Sequence, residues 1–352
     1  MKISIAKSAV GVWARASLVA AVVSAVCAGA AAQDVPQLPD LVDQVSPGVV
    51  SVAATVPAAA PQKAAPGKKA APATATQLGA GMVISPEGHV VTSAHIVKGA
   101  SQINVRLNEG PPLSATVVGI DEPSGIALLK VAAGAPLAPV AFTDSSQLRR
   151  GQPVFAIGNP FGLAGSVSTG IVAGLDRVVG NGPLGFLQTD AAISKGNAGG
   201  PLFDYNGSVV GMVASVLSGA GAGAPGIAFA VPANEVSRVS QSLRLTGTVA
   251  RGWLGVRIRT VDATIGQSIG LGAAGGALVE DVIAGGPGIA AGLRKGDAVL
   301  AVDDVNIDTM RDLARRMAER APGSVVKLSV WRGGQLLELS LRLGTFPKSL
   351  PK

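Results

Sequence analysis

From Gly79 to about Val231 the chain keeps returning to short β-branched runs, each cut off within a few residues by Gly, Pro, Asn or Asp. Met82-Val83-Ile84, His89-Val90-Val91-Thr92, Ile103-Asn104-Val105, Ala115-Thr116-Val117-Val118, Ile126-Ala127-Leu128-Leu129, Val154-Phe155-Ala156-Ile157 and Val209-Val210-Gly211-Met212-Val213 all have strand length. Side chains branched at Cβ pack well on a pleated surface and lose rotamer freedom in a helix. Regular spacing of such runs, with turn residues between them, reads as a barrel or sandwich. The 47 glycines and 23 prolines supply the turns, and a charged fraction of only 14% argues against long charged helices.

Upstream, Asp40–Val56 has a polar, helix-like start and then an apolar strand over Gly48–Ala53. Pro57–Thr76 is rich in Ala, Pro and Lys, with too little bulky apolar surface to offset the entropy of ordering, and is expected to form a mobile surface loop. A helical segment over Glu235–Leu245 closes this domain. Past Arg251 the rhythm changes. Strands are expected at Leu254–Ile258 and Ala277–Val282, then a segment Gly285–Leu293, and a turn and strand over Gly296–Val302. Met310–Arg320 places Leu313 and Met317 at helical spacing, and Val325–Trp331 with Leu336–Leu343 form a hairpin around Gly333-Gly334. Two domains follow, 33–250 and 251–344, with 345–352 as a tail.

The N-terminus carries Lys2, Lys7 and Arg15 without an acid, then a largely apolar run that ends on Ala30-Ala31-Ala32. This is the pattern of a cleavable secretory signal over 1–32, so the mature chain is expected to begin near Gln33. An uncleaved anchor is the alternative, but the run is short for a bilayer span of ~20 residues. Cys27, the single cysteine, lies inside that signal, which leaves the mature chain without thiol or disulfide. The formal charge of +7 includes the three signal cations. So weak a surplus, without a basic stripe interleaved with aromatics, gives no reason to expect nucleic acid as a partner.

Three segments occur in a telling order: GAGMVISPEGHVVTSAHIV (79–97), VVGIDEPSGIALLKV (117–131) and QTDAAISKGNAGGPLFDYNGSVVGM (188–212). With AIGNPFG (156–162) and RGWLGV (251–256), they resemble the HtrA/Deg family of serine proteases. The resemblance implies a mostly β chain: a trypsin-like double six-stranded β-barrel followed by one PDZ domain. Gly292-Leu293-Arg294-Lys295-Gly296-Asp297 also resembles a stretch typical of PDZ modules.

A protease of this kind needs a hydroxyl nucleophile, an imidazole base and a carboxylate that orients the imidazole. By resemblance, His95 stands at the position of the base. Gly125 stands where the family has its aspartate, and Ala198 where it has its serine. A methyl group has no lone pair with which to attack a carbonyl. The chain is therefore expected not to be an enzyme, but a periplasmic pseudoprotease that binds unfolded polypeptides or C-terminal peptides in a chaperone-like or regulatory role. Asp121, Asp190, Ser93, Ser166, Ser168 and Ser194 lie close in sequence and are read as ordinary turn and strand residues; His89 is a weaker candidate than His95.

The backbone of Gly196, Asn197 and Ala198 is expected to keep the amides of an oxyanion hole, although Ser194 and Lys195 depart from the family pattern. Trp253, Leu254, Gly255 and Val256 resemble the PDZ loop that receives a peptide carboxylate beside a sheet edge, with Leu254, Val256 and either Leu313 or Met317 lining its pocket; the alternative is that the glycines only make a turn and the apolar residues only fill the core. The Gly-rich Ser218–Gly226 is expected to be a mobile loop beside the specificity pocket. No cofactor or metal is expected, since two histidines without cysteines make a poor zinc set. The resemblance implies a homotrimer or a mixed oligomer with an active paralogue. An active endopeptidase with a non-standard constellation and a structural envelope scaffold are the alternatives.

Overall fold

The computed structural model describes residues 37–58, 74–107, 110–179, 184–214 and 226–347. The expected signal, Cys27, most of the 57–76 loop and nearly all of Ser218–Gly226 lie outside them.

The first barrel is built from β1 (Val49–Pro57), β2 (Thr74–Ser85), β3 (His89–Ser93), β4 (Gln102–Leu107), β5 (Leu113–Asp121) and β6 (Ile126–Val131), closed in the order β1-β2-β3-β6-β5-β4 by the pairing of β1 with β4. Along β1 the buried positions alternate, so that Val50, Val52, Ala54 and Val56 share the inner face. Val50, Val52 and Ala54 meet Val83, Val90, Val105 and Leu129 in one core. Each such side chain contributes ~1.5–3 kcal/mol on burial, and closure leaves no strand edge unpaired. One expectation needs correction. Thr74, Ala75 and Thr76 are not loop but strand, paired with Pro57, Val56 and Thr55; ladder hydrogen bonds hold them where apolar burial would not.

The second barrel comprises β7 (Ala141–Phe142), β8 (Pro153–Gly158), β9 (Ser166–Val178), β10 (Gly185–Thr189), β11 (Pro201–Asp204), β12 (Ser208–Val213) and β13 (Ala228–Pro232). Its six longer strands run β11-β8-β9-β10-β13-β12 and close through β11–β12, with β7 added on β12. Val154, Ala156, Val172, Leu187, Leu202 and Val210 fill it. The helix Ala233–Thr246 packs on β5 and β6 of the first barrel and β12 of the second, and ends on Gly247 in the left-handed conformation (φ 71°).

The third unit contains β14 (Gly252–Trp253), β15 (Val256–Thr260), β16 (Ala277–Val282), β17 (Ala298–Val302), β18 (Val305–Asn306), β19 (Val325–Arg332), β20 (Gln335–Arg342) and β21 (Gly344–Thr345). The main sheet runs β15-β16-β17-β19-β20, and β14 pairs with β21. The strand expected over Leu254–Ile258 is split, because Gly255 turns the chain at φ 74° between β14 and β15. The helix Met310–Ala318 is capped by the Thr309 side chain and buries Leu313 and Met317 against the sheet. Asp297 of the Gly-Asp pair is fully buried and bidentate to Arg332, with its Oδ2 also accepting the Arg294 amide at 2.8 Å.

Where the barrels meet this unit, Arg251 and Asp121 form a bidentate ion pair with both side chains under 10% exposed; Nη2 donates to Oδ2 at 2.7 Å. Glu235 stands 3.6 Å from the same guanidinium. Burial alone would raise the Asp121 carboxyl, but hydrogen bonds from Arg251 and Ser124, then the Arg251 charge, hold it below the ordinary carboxylate range. A depressed carboxylate contributes stability that is present above its unfolded value and is lost as pH falls through the folded one. Arg251→Met, which strands a buried charge, is expected to cost about 3–5 kcal/mol in urea unfolding at neutral pH. The variant should also lose the part of the wild type's acid sensitivity that Asp121 supplies.

Candidate active site and peptide-binding edge

His95 is carried by the one-turn helix Ala94–Val97, which begins where β3 ends. The Ala94 amide donates to the Gly125 carbonyl at 2.8 Å, so the imidazole's turn is bolted to the turn expected to carry a carboxylate. Ser93 Oγ lies 2.7 Å from His95 Nδ1 and 3.4 Å from the Gly125 carbonyl oxygen. His95 is exposed as a residue, yet partial burial of its ring lowers its pKa below that of a free imidazole.

Gly125 closes a turn by donating to the Glu122 carbonyl at 3.1 Å and adopts φ 70°. No atom lies within 4 Å of where its Cβ would stand. Ser124 beside it is pinned by its hydroxyl and amide to Asp121. Asp121 is thereby committed to Ser124 and Arg251, and Asp190 accepts the Ile171 amide at 2.7 Å, so neither serves His95. Ser166 bonds the Leu163 carbonyl. His89 pairs with Ser85 at 2.8 Å in the separate β2–β3 turn.

Ala198 sits in a tight turn from Ser194 to Gly200 and accepts the Ala80 amide at 2.9 Å through its own carbonyl. Gly199 (φ 84°) seats this turn on the end of β3: a Cβ there would lie 2.4 Å from the Ala80 oxygen and 2.6 Å from both Ser93 N and Thr92 Oγ1. The structure thus brings the His95, Gly125 and Ala198 turns together. Among the described residues the Gly196 and Ala198 amides have no hydrogen-bond partner, whereas the Asn197 amide donates to the Ser194 carbonyl at 3.1 Å. The expected set of three donors is therefore two, because the turn spends the middle amide on itself.

In the C-terminal unit, β15 pairs only with β16 among the described residues, so its other edge is open. The Leu254 and Gly255 amides just before it likewise have no partner. Trp253 belongs to β14, and Val256 opens β15, half-buried. Leu254, Leu313 and Met317 are 5%, 0% and 2% exposed, and Val256 is half-buried. Sequence reasoning passed over Ser93 as a partner of His95, and no spacing pattern flags it. The Asp121–Arg251 pair, 130 residues apart, left no local signal at all. No group of three or more His, Cys, Asp or Glu side chains suited to a metal occurs among the described residues.

Gly125→Asp has room for its side chain but must hold a left-handed backbone. It is expected to fold and to cost about 1 kcal/mol in urea unfolding, with Gly125→Val costing clearly more because β-branching resists φ above zero.

Residues 79–212 match the trypsin-like peptidase domain and residues 252–343 the PDZ domain. The chain is 43% identical over 270 residues to a probable periplasmic serine endoprotease DegP-like of Rhizobium meliloti (strain 1021), covering 76% of this chain and 53% of the relative. It is 40% identical over 273 residues to one of the same description from Halomonas elongata, covering 77% and 57%. The chain thus spans about half the length of the curated relatives it matches. Among solved structures, the HtrA-type protease AlgW with decapeptide superposes at TM-score 0.74 with 31% identity, covering 89% of this chain and 100% of that one.

These names correct the expectation that the chain is not an enzyme, since its relatives are named serine endoproteases. Two side chains state what residues 125 and 198 cannot do; they do not exclude an attacking oxygen from elsewhere. With a trypsin-like double barrel, a PDZ unit in the same order and this degree of identity over nine-tenths of the chain, the protein belongs to the HtrA/Deg family of serine endoproteases.

Proposed function

We propose that this chain captures extended polypeptide segments in the periplasm, in a chaperone-like or regulatory role in envelope protein quality control. The observation that carries this reading is the pair of amides at Leu254 and Gly255, without a partner among the described residues, beside the open edge of β15. A peptide added along that edge pairs with β15 by main-chain hydrogen bonds, and its terminal carboxylate falls on the two amides. Main-chain donors recognise any carboxylate, so selectivity comes from the side chains the peptide lays against Val256 and Ile258, both half-buried. A solved relative described with a decapeptide supports the same use of this fold.

The second contact lies between the barrels. The Gly196 and Ala198 amides can receive a carbonyl oxygen from a chain lying across the cleft, with His95 beside it. In this reading His95, Gly125 and Ala198 occupy the three triad positions. Residue 198 offers only carbon, so hydrolysis by this chain, as its relatives' name implies, takes its attacking oxygen from another group.

Periplasmic location is supported by the relatives' descriptions and by the signal-like N-terminus. No helix among the described residues is long and apolar enough to cross a membrane. Self-association is supported by an apolar patch on the first-to-second barrel side: Phe161, Leu163 and Leu78 are 75%, 66% and 41% exposed, and the Phe161 loop lies against Leu78. A homotrimer built through this patch should appear in analytical ultracentrifugation, with Phe161→Asp shifting the mass to the monomer.

Calorimetric titration with a short apolar peptide tests the capture reading. Amidating its C-terminus should weaken binding at least tenfold, about 1.4 kcal/mol. Gly255→Val should do the same, because a Cβ at Gly255 would lie 2.7 Å from Pro287 Cδ and displace the loop. Equal affinity for the free acid and the amide overturns the assignment of the carboxylate site.

A further inference from the structure

Ser93 is the N-cap residue of the helix Ala94–Val97, the position where a serine hydroxyl ordinarily accepts a backbone amide two or three residues on. It makes no such bond. Instead the hydroxyl is 2.7 Å from His95 Nδ1 and 3.4 Å from the Gly125 carbonyl, and Ser93 is 4% exposed. The cap is forgone, and the hydroxyl's direction follows the imidazole and the neighbouring turn, not the helix.

A serine hydroxyl carries one proton, and the Gly125 carbonyl can only accept. When Ser93 donates to Gly125, its oxygen is left to accept, and the donor that the described residues bring to it is an Nδ1–H. The neighbouring Gly125 turn brings no carboxylate to Nδ1, and Asp121 and Asp190 are engaged elsewhere. We propose that Ser93 is the positioning residue for His95, its hydroxyl holding the ring as the Nδ1–H tautomer so that Nε2 remains the free acceptor at the cleft. The hydroxyl then does for orientation what a carboxylate does in a triad, without the negative charge that would stabilise an imidazolium. Nε2 in this state accepts a proton or a hydrogen bond from whatever lies across Ala198. Peptide capture at Leu254 and Gly255 neither requires this role nor follows from it.

The chain has two histidines, so its imidazole spectrum contains His89 and His95 alone, and His89 serves as an internal reference. In the 15N-labelled full chain at about pH 8, well above the ordinary imidazole pKa of ~6.5, long-range 1H–15N correlations are expected to show His95 protonated at Nδ1 and bare at Nε2. Ser93→Ala should shift the tautomer ratio toward Nε2–H by roughly 2- to 10-fold, the worth of one hydrogen bond, and leave His89 unchanged. Ser93→Thr, which keeps the hydroxyl, should restore the wild-type ratio. An Nε2–H ring in the wild type overturns the proposal, as does an unchanged ratio in a folded Ser93→Ala. Fluorophosphonate labelling of Ser93 in the wild type also overturns it, because the hydroxyl would then be the nucleophile. If Ser93→Ala does not fold, the wild-type tautomer decides the matter by itself.

Discussion

The candidate cleft depends on a contact between two barrels that is too close for a side chain. Gly199 lies on the end of β3 with the Ala80 oxygen, the Ser93 nitrogen and the Thr92 hydroxyl all inside the radius that a methyl group would need. Glycine at a positive φ permits this approach, and the Ala80 amide then bonds to the Ala198 carbonyl across the seam. From that seat the turn carrying residues 196 and 198 faces the turn carrying His95. The closed barrels on either side make the arrangement stiff, since each strand of the two closed rings is paired on both edges and each core is filled from one face.

A second constraint is electrostatic and joins the barrels to the PDZ unit. Asp121 ends the strand that leads into Ser124 and Gly125, and Arg251 begins the segment that leads into Gly252 and Leu254. Two charges taken this far from water need each other. Their attraction and paired hydrogen bonds offset a desolvation cost of several kcal/mol per ion. The same carboxylate also fixes Ser124, so the turn beside His95 and the entry to the peptide-binding unit share one buried anchor. Arg315 of the PDZ helix, 3.7 Å from Asp176 of β9, adds a weaker, more exposed tie.

The donors in the cleft and at the β15 edge belong mostly to the main chain. Amides at Gly196 and Ala198, and at Leu254 and Gly255, without a partner among the described residues, depend on backbone path and would persist through many side-chain changes. Side-chain chemistry is more exacting. At residue 198 the side chain supplies no oxygen, and at residue 125 it supplies nothing. His95 is nevertheless held, through Ser93 and the Gly125 carbonyl, by groups a search for triad residues does not weigh. Membership of an endoprotease family and the absence of a nucleophile at one position are both properties of this chain, and together they direct attention to which oxygen stands near the imidazole.

Much of this was legible in the order of residues. Alternating β-branched runs specified the strands, and the side chains at 95, 125 and 198 could be read directly, because period-two burial and motif spacing are local properties of a chain. Thr74–Thr76 were misread because composition measures apolar burial and not ladder pairing with a distant strand. Helical spacing says that Leu313 and Met317 share a face, and the tertiary structure adds that this face is buried against the sheet. Only the tertiary structure decided that the Asn197 amide turns inward, that Ser93 gives up its cap for His95, and that Asp121 belongs to Arg251. Each of these depends on backbone torsions and on the approach of segments far apart in the chain, and a hydrogen bond acts over about 3 Å, a distance that sequence separation does not encode.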